Sequence, residues 1–445
     1  MPEARLLLRD IDIPDIEHLD TYRAHGGYAA LERVRRELSS NEVVDLVARA
    51  GLRDRGGTWR ELAPRWRGLA GRTEYLCVNA NESSPGAFRD RKLIERHPHQ
   101  CIEGIAIAAY ALEVQRVYIC VRPEMKRGIQ LLQSAVEEVR NAGILGIAVA
   151  GAEPPLDIVV HVGGGAYIAA EETALLASLE GRRAEPRAQP PLAWEWGVWG
   201  RPAIVENIGT LCYLPHIVER GADWFASLGT TACSGTLVFC ISGHVCRPGL
   251  YELELGAVTL RQLINEYAGG VRAGHRLKAV LPGGGAPPLL DEHLDVSLVP
   301  EGWAIPGGGD CPSAFTNGAV IVMDDTVCMV DAALNLMEFY ARESCGQCPP
   351  CRGGSAWLRD ILTRLEGGQG RVDDLELLLE VAEQVSPWLS SERAGICSFS
   401  QEFSWLLQGF LRYFSEEFAL HAEVGACPVD KDFSIKTPET ISVRF

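Results

Sequence analysis

Glu343-Ser344-Cys345-Gly346-Gln347-Cys348-Pro349-Pro350-Cys351-Arg352-Gly353-Gly354 is the most informative stretch of this 445-residue chain. Three cysteines at C-x2-C-x2-C let one tight loop turn three thiolates toward a single face of a cubane cluster. The flanking glycines and prolines favour that turn and predict no helix before Ser355. A fourth thiolate has to come from elsewhere. Cys397, in Ala394-Gly395-Ile396-Cys397-Ser398, is expected in a loop between two helices of the same region and is assigned that role. Cys427, followed by Pro428 in a poorly periodic tail, ranks behind it. Zinc is the competing metal, since four thiolates suit a tetrahedral site, but zinc sites usually present two C-x2-C knuckles. A triplet plus one remote cysteine predicts a [4Fe–4S] cluster.

Around this loop the chain reads as helical, with apolar spacing over 330–342, 355–365, 373–385 and 403–414 that suits a compact bundle. Upstream, 237–285 has a β-rich run (237–242), a turn at Pro248-Gly249, a strand (250–255), one helix (260–267) and glycine-rich turns. That is the texture of a small α+β module. From 73 to 180, short apolar runs (75–78, 117–121, 158–161) alternate with helical stretches (102–112, 126–141, 171–180). Strand and helix in alternation predict a parallel sheet covered by helices. Residues 181–202 look like an extended connector, and 1–50 like a lead-in ending in a helix over 43–50. The fold class expected is α/β plus α+β plus all-α, divided as 1–72, 73–230, 231–325 and 326–445.

At 47% hydrophobic and 23% charged, the chain has a globular composition. Its net charge of -17 excludes nucleic acid as a partner, because phosphate backbones are bound by excess Lys and Arg. The opening residues have too short an apolar run for a signal peptide, and the best span candidate, 104–121, is broken by Glu113, Gln115 and Arg116. A cytoplasmic protein is expected, with membrane attachment only through partner subunits. In a reducing compartment, 14 cysteines point to metal or redox chemistry wherever they cluster. Cys77, Cys101, Cys120, Cys212, Cys240 and Cys328 sit among Val, Ile, Leu and Ala and read as plain core residues.

The chain resembles the NADH- and FMN-binding flavoprotein subunit of bacterial NADH:quinone oxidoreductase, respiratory complex I. Gly51-Leu52-Arg53, Arg55-Gly56-Gly57 and Asn79-Ala80-Asn81-Glu82-Ser83-Ser84-Pro85-Gly86 carry the likeness. So do Tyr167-Ile168, Glu171-Glu172-Thr173-Ala174-Leu175, Ser178-Leu179-Glu180-Gly181-Arg182-Arg183, Gly221-Ala222-Asp223-Trp224-Phe225 and the cysteine loop. The resemblance implies a Rossmann-like flavin domain, a ubiquitin-like β-grasp module and a helical bundle holding the cluster. It implies FMN and NAD(H) at Arg55, Gly56, Gly57, Arg65, Asn79, Glu82, Tyr167, Glu171, Glu172 and Asn207. It also implies other Fe–S subunits of a peripheral arm as partners.

Ligand-facing positions depart from the family. Its loop, Gly-Leu-Arg-Gly-Arg-Gly-Gly-Ala-Gly-Phe-Pro-Thr-Gly-Leu-Lys-Trp, becomes Gly51-Leu52-Arg53-Asp54-Arg55-Gly56-Gly57-Thr58-Trp59-Arg60-Glu61-Leu62-Ala63-Pro64-Arg65-Trp66. Three glycines are lost, and Arg60 replaces the stacking Phe. Asn-Ala-Asp-Glu-Ser-Glu becomes Asn79-Ala80-Asn81-Glu82-Ser83-Ser84, and Cys-Gly-Glu-Glu-Thr becomes Ala169-Ala170-Glu171-Glu172-Thr173. Asn-Asn-Val-Glu-Thr becomes Glu206-Asn207-Ile208-Gly209-Thr210, and Lys-Pro-Pro-Phe becomes Gln189-Pro190-Pro191-Leu192. An ionised Glu206 about 4 Å from an FMN phosphate is repelled by roughly 4 kcal/mol at an effective dielectric near 20.

These changes predict an electron-transfer subunit with its cluster intact and its nucleotide site eroded, fed by a ferredoxin-like or flavodoxin-like donor near the bundle. The alternatives are an active NADH dehydrogenase passing hydride to FMN, and a zinc-stabilised structural subunit. Gly283-Gly284-Gly285 and Gly307-Gly308-Gly309 lack a following helix with Lys-Ser/Thr and read as turns. His97 and His99 flank Pro98 in an expected surface turn. The acidic stretch 373–383 reads as a solvated face.

Overall fold

A computed structural model describes residues 5–146, 155–299, 316–390 and 395–429; the Gly307-Gly308-Gly309 triplet and Ala394 lie outside them. The chain begins with α1 (Leu19–Ala24), α2 (Ala29–Glu37), α3 (Ser40–Ala50) and α4 (Leu62–Leu69). A capping box between Ser39 and Glu42 starts α3, and Gly51 ends it in the left-handed region (φ 64°), turning the chain into the 51–66 loop.

Next come β1 (Tyr75–Ala80), α5 (Arg89–Arg96), α6 (Pro98–Leu112), β2 (Arg116–Val121), α7 (Lys126–Asn141), β3 (Asp157–Val162) and α8 (Glu172–Leu179). This unit closes with β4 (Ala203–Asn207), α9 (Ile208–Leu211), α10 (Leu214–Arg220) and α11 (Ala222–Ser227). The strands form one parallel sheet in the order β3-β2-β1-β4. Leu76, Cys77, Val78, Val117 and Ile119 are buried, as strands covered on both faces require. Winding reverses between β1 and β4, so a crevice opens at their carboxyl ends, where open α/β sheets place ligands. There the register sets Asn79 directly beside Asn207.

His97 and His99 are not in a surface turn. Both are buried where α5 runs into α6. Pro98 occupies the first turn of α6, where its missing N–H costs nothing. The ring of His99 lies between Tyr28 Oη (2.9 Å) and Glu138 (3.3 Å).

The second sheet consists of β5 (Thr236–Gly243), β6 (Gly249–Glu254), β7 (Leu277–Pro282) and β8 (Ala319–Asp324) in the order β6-β5-β8-β7. β5 and β8 are parallel and the outer pairs antiparallel. The expected helix over 260–267 is a short α12 (Leu260–Gln262) continued by a π turn, Leu263–Tyr267. Buried Glu252 of β6 accepts the backbone N–H groups of Leu6, Leu7 and Leu8 at 2.8, 3.1 and 3.0 Å, tying the start of the chain to this sheet.

Four helices follow: α13 (Met329–Glu343), α14 (Pro349–Glu366), α15 (Asp374–Val385) and α16 (Phe399–Val424). They pack around Met337, Tyr340, Leu358, Leu362, Leu378, Phe403, Leu407 and Phe410. Contrary to expectation, α14 starts at Pro349 rather than near Ser355. The two prolines fill its first turn, where fixed φ and absent N–H groups suit a helix start. The acidic side of α15 faces solvent, in line with the sequence reading, except for Asp374, which is buried against Arg364.

Candidate active cleft and cysteine pocket

A cleft of about 590 Å³ opens at the carboxyl ends of β1 and β4. Its walls are the 54–65 loop, the turn at 167–170 with α8, the Gly283–Ala286 turn, and the start of α16. Of the expected ligands, Gly56, Gly57, Arg65, Asn79, Glu82, Tyr167, Glu171, Glu172 and Asn207 line it. Gly56 has to be glycine: a Cβ there would meet Asn207 Cβ at 2.7 Å.

Arg55 does not face the cleft. Its guanidinium is buried beneath the loop, donating to Ser234 O (2.6 Å) and stacking on Trp59 (4.2 Å). Trp59 also turns inward, joining the second sheet's core with Cys233, Leu237 and Phe239. The ring that stands where the family has a glycine therefore stays out of the cleft. Its cost falls on the backbone instead, since Trp59 holds the left-handed φ of 54° that a glycine adopts freely.

Most polar groups of the cleft already have partners in the protein. Asp54 Oδ1 accepts the Gly56 N–H (3.0 Å), and Oδ2 accepts the Thr58 N–H (3.0 Å) and hydroxyl (2.6 Å). The carboxylate thus sits on two of the loop's own backbone donors. Asn79 donates to Ala170 O (2.9 Å) and accepts from Asn81 N (3.0 Å). Asn207 caps α9 through the Thr210 N–H (3.0 Å) and donates to Asp90 (2.6 Å). Glu82 accepts the Asp90 and Arg91 N–H groups at the start of α5, and Glu171 caps α8. Arg65 contacts Glu172 (3.3 Å) and donates to Val205 O (3.0 Å).

Eight lining residues carry carboxyls against four with guanidinium groups. Burial shifts several carboxyls toward neutrality. Glu206 is pushed up to about 7 and accepts from Trp66 Nε1 (2.9 Å). Glu402 is pushed up to about 7 and accepts the Tyr167 hydroxyl (2.6 Å). Burial raises Glu82 as well. The expected repulsion from Glu206 is accordingly weakened, because it sits in a buried niche that favours its neutral form. Asp54 is half-exposed on the loop that forms one wall of the cleft.

Beside this cleft, Cys345, Cys348, Cys351 and Cys397 line one small pocket with Ile168, Ile396 and Phe399. Cys348 is the residue before α14, Cys351 lies in its first turn, and Cys397 lies two residues before α16. The Ile396 N–H points at Cys348 Sγ (3.3 Å), and Ser344 Oγ lies 3.5 Å from Cys351 Sγ. Arg183 and Arg352 tie down the loop through the carbonyls of Cys345 (2.6 Å) and Gly346 (3.3 Å). Burial holds the Cys351 and Cys397 thiols up at about 11 and about 12, so a bound cation is needed to keep them as thiolates at neutral pH. Four converging sulfurs in an apolar pocket at a helix N-terminus fit an anionic cubane cluster. Cys427 lies elsewhere, beside Cys328 at the opposite end of the helices.

Ile168, Ile396, Cys397 and Phe399 line both cavities, so the cleft and the cysteine pocket share a wall. Arg89, Arg187, Gly283, Gly285 and Glu402 also line the cleft. No short-range signal marks them, because tertiary packing alone brings them there.

A crevice at a parallel sheet's switch point, walled against a four-cysteine pocket, defines a nucleotide-fold redox protein with an iron–sulfur centre. Residues 47–216 match the family described as the Nuo51 FMN-binding domain, and 331–421 the NADH-ubiquinone oxidoreductase-F iron-sulfur binding region. Residues 237–301 match the SLBB domain. The chain is 40% identical to the F 2 subunit of NADH-quinone oxidoreductase from Rhizobium meliloti (strain 1021), over 95% of this chain and 99% of that protein. It is 38% identical to the F subunit of the Escherichia coli (strain K12) enzyme, over 90% and 88%. The structure of an NAD+-reducing [NiFe]-hydrogenase in the H2-reduced state superposes with a TM-score of 0.78 at 29% identity, covering 96% of this chain and 68% of that one. The chain belongs to the F-subunit family of NADH-quinone oxidoreductases, electron-transfer proteins with FMN-binding and [4Fe–4S] domains. Among the described residues no helix is long and apolar enough to cross a membrane.

Proposed function

We propose that this chain relays electrons through one [4Fe–4S] cluster held by Cys345, Cys348, Cys351 and Cys397, and that its cleft no longer grips the phosphate of FMN or NADH. The observation that carries this reading is Asp54 seated on the loop N–H groups, beside an intact cysteine pocket. The residues present do not fit a phosphate at that loop. What the chain's own residues supply is a scaffold. Ser344, Ile396, Arg183 and Arg352 hold the cysteine loop, and Ile168 and Phe399 wall it from the cleft.

On this reading the chain divides into a lead-in with the 51–66 loop (1–72), a Rossmann-like domain (73–230), a ubiquitin-like β-grasp module (231–325) and a helical bundle (326–445). It sits on the cytoplasmic peripheral arm of a complex I-type assembly, against other Fe–S subunits. A ferredoxin-like or flavodoxin-like donor feeds the cluster, and the membrane is reached only through partners. The test is NADH added anaerobically to the purified chain with ferricyanide as acceptor. The expected result is no NADH oxidation, whereas family-like turnover overturns the proposal.

A second reading, an active NADH dehydrogenase, is favoured by the cleft's volume and by three buried guanidinium atoms that lack hydrogen-bond partners: Arg65 Nε, Arg89 Nη1 and Arg187 Nε. Turnover in the same assay supports it.

A further inference from the structure

We propose a second metal site, for one structural zinc ion, formed by Cys328, Glu366, His421 and Cys427. Each residue offers one ligand atom, and all four atoms lie within 4.8 Å of one another. Cys328 Sγ is 3.2 Å from His421 Nε2 and 3.7 Å from Glu366 Oε2, and His421 Nε2 is 3.3 Å from Glu366 Oε2. Zinc bonds of about 2.0–2.3 Å at tetrahedral angles give ligand–ligand edges of roughly 3.3–3.8 Å. The three separations fall close to that range. A zinc ion would draw the remaining contacts in.

The surroundings are those of a built site. His421 Nδ1 is 2.7 Å from Glu417 O, which fixes the tautomer and aims the Nε2 lone pair at the other three ligands. Cys328 caps α13, its Sγ receiving the Asp331 N–H at 3.4 Å. Glu417 is itself anchored by Lys278 Nζ (2.7 Å) and the Met329 N–H (2.8 Å). Cys427 is delivered by a tight backbone crossing. Gly425 ends α16 at φ 64°, and a Cβ on Gly368, itself at φ 73°, would meet Gly425 O at 2.1 Å. Only glycine lets the turn after α14 touch the turn after α16 this closely.

Two thiolates, an imidazole and a carboxylate form a borderline-soft set with no open position, which suits zinc in a structural role. Cys328 and His421 are buried, and Glu366 and Cys427 are half-buried, so an ion can enter from solvent. The ligands come from the start of α13, the last residue of α14, the last turns of α16 and the segment just beyond it. The cysteine loop joins the other ends of α13 and α14. The 15 residues of α13 separate the two sites by roughly 22 Å at 1.5 Å per residue. The ion therefore staples helix ends and takes no part in the electron path. Cys328 and Cys427 also fall outside the 331–421 stretch that matches the iron–sulfur family. Cys328 is thus more than the plain core residue its neighbours in sequence suggest.

The test is metal analysis of the full chain, purified anaerobically without chelator from zinc-containing medium, with zinc K-edge EXAFS on the same sample. The expected result is one zinc per chain beside four irons, with two sulfur neighbours at about 2.3 Å and two N/O neighbours at about 2.0 Å. His421→Gln combined with Cys427→Ser should lose the zinc and keep the irons. Cys345→Ser should lose iron and keep zinc. Cys427→Ser alone, at a half-buried position after the last helix, serves where the double variant folds poorly, and should lower zinc occupancy at least tenfold. Full iron without zinc, a Cys328–Cys427 disulfide in its place, or zinc retained in the double variant overturns the proposal.

Discussion

Replacing Asp54 with glycine should restore phosphate affinity to the 51–66 loop. The loop is closed independently of this side chain, by the bridge between Arg53 and Glu61 and by the Asp54 N–H donating to Arg60 O (2.8 Å). The Asp54 carboxylate holds two backbone N–H groups at 3.0 Å and one hydroxyl at 2.6 Å. A phosphate on those N–H groups would lie within about 4 Å of it, for roughly 4 kcal/mol of repulsion per charge pair at an effective dielectric near 20. Asp54 is half-exposed, so screening trims this to about 1.4–3 kcal/mol, or about 10- to 100-fold in affinity. Riboflavin, which lacks the phosphate, provides the contrast. Titrating FMN and riboflavin into wild type and Asp54→Gly, by quenching of flavin fluorescence, should show a gain for FMN alone. Asp54→Asn removes the charge but keeps an acceptor on the loop, and should fall between the two. Equal shifts for both flavins, or no gain for FMN up to millimolar concentration, refute the idea that Asp54 stands in for the phosphate.

Trp59→Gly relieves a left-handed φ worth roughly 1–2 kcal/mol but removes a buried ring worth about 3–5 kcal/mol. The net expectation is about 1–4 kcal/mol of destabilisation in a urea titration, with no effect on the cluster's EPR signal. Glu206→Gln should match wild type in Tm at pH 5 and exceed it at pH 8. A buried carboxyl raised from 4.5 to about 7 stabilises the fold fully below pH 4.5 and loses that contribution as pH rises through 7, whereas Gln does not titrate and still accepts from Trp66 Nε1. A Tm difference that is the same at both pH values would count against that assignment.

The cysteine loop is legible in sequence because three cysteines within seven residues dictate their own convergence, and Cys397, expected in a loop between two helices of the same region, lines the same pocket. The strands 75–78, 117–121 and 158–161 stand out as apolar runs, whereas β4 and β7 do not. β4 is cut short by Glu206-Asn207, and β7 ends at Pro282 beside a glycine-rich turn. Alternation within five or six residues is too weak a signal there. The helix start at Pro349 escapes a reading that treats proline as a breaker, although in a first turn it acts as an initiator. His97 and His99 escape it for a related reason, since Pro98 begins a buried helix. At the cleft, residue identities show that the loop has changed but not which changes matter. Trp59 and Arg55 turn away from the cleft into the core, burial shifts Glu206 toward its neutral form, and Asp54 occupies two loop donors. Side-chain direction and burial decide these outcomes, and a single sequence carries neither. The cluster formed by Cys328 and Cys427 joins residues 99 positions apart, beyond any spacing rule.

The most direct test of the central claim is the flavin and iron content of the anaerobically purified chain, by acid extraction and absorbance alongside iron and acid-labile sulfide assays. Four irons per chain with no flavin is the predicted result. One FMN per chain together with four irons would contradict it, and would make Asp54 a tuning residue of a working NADH dehydrogenase.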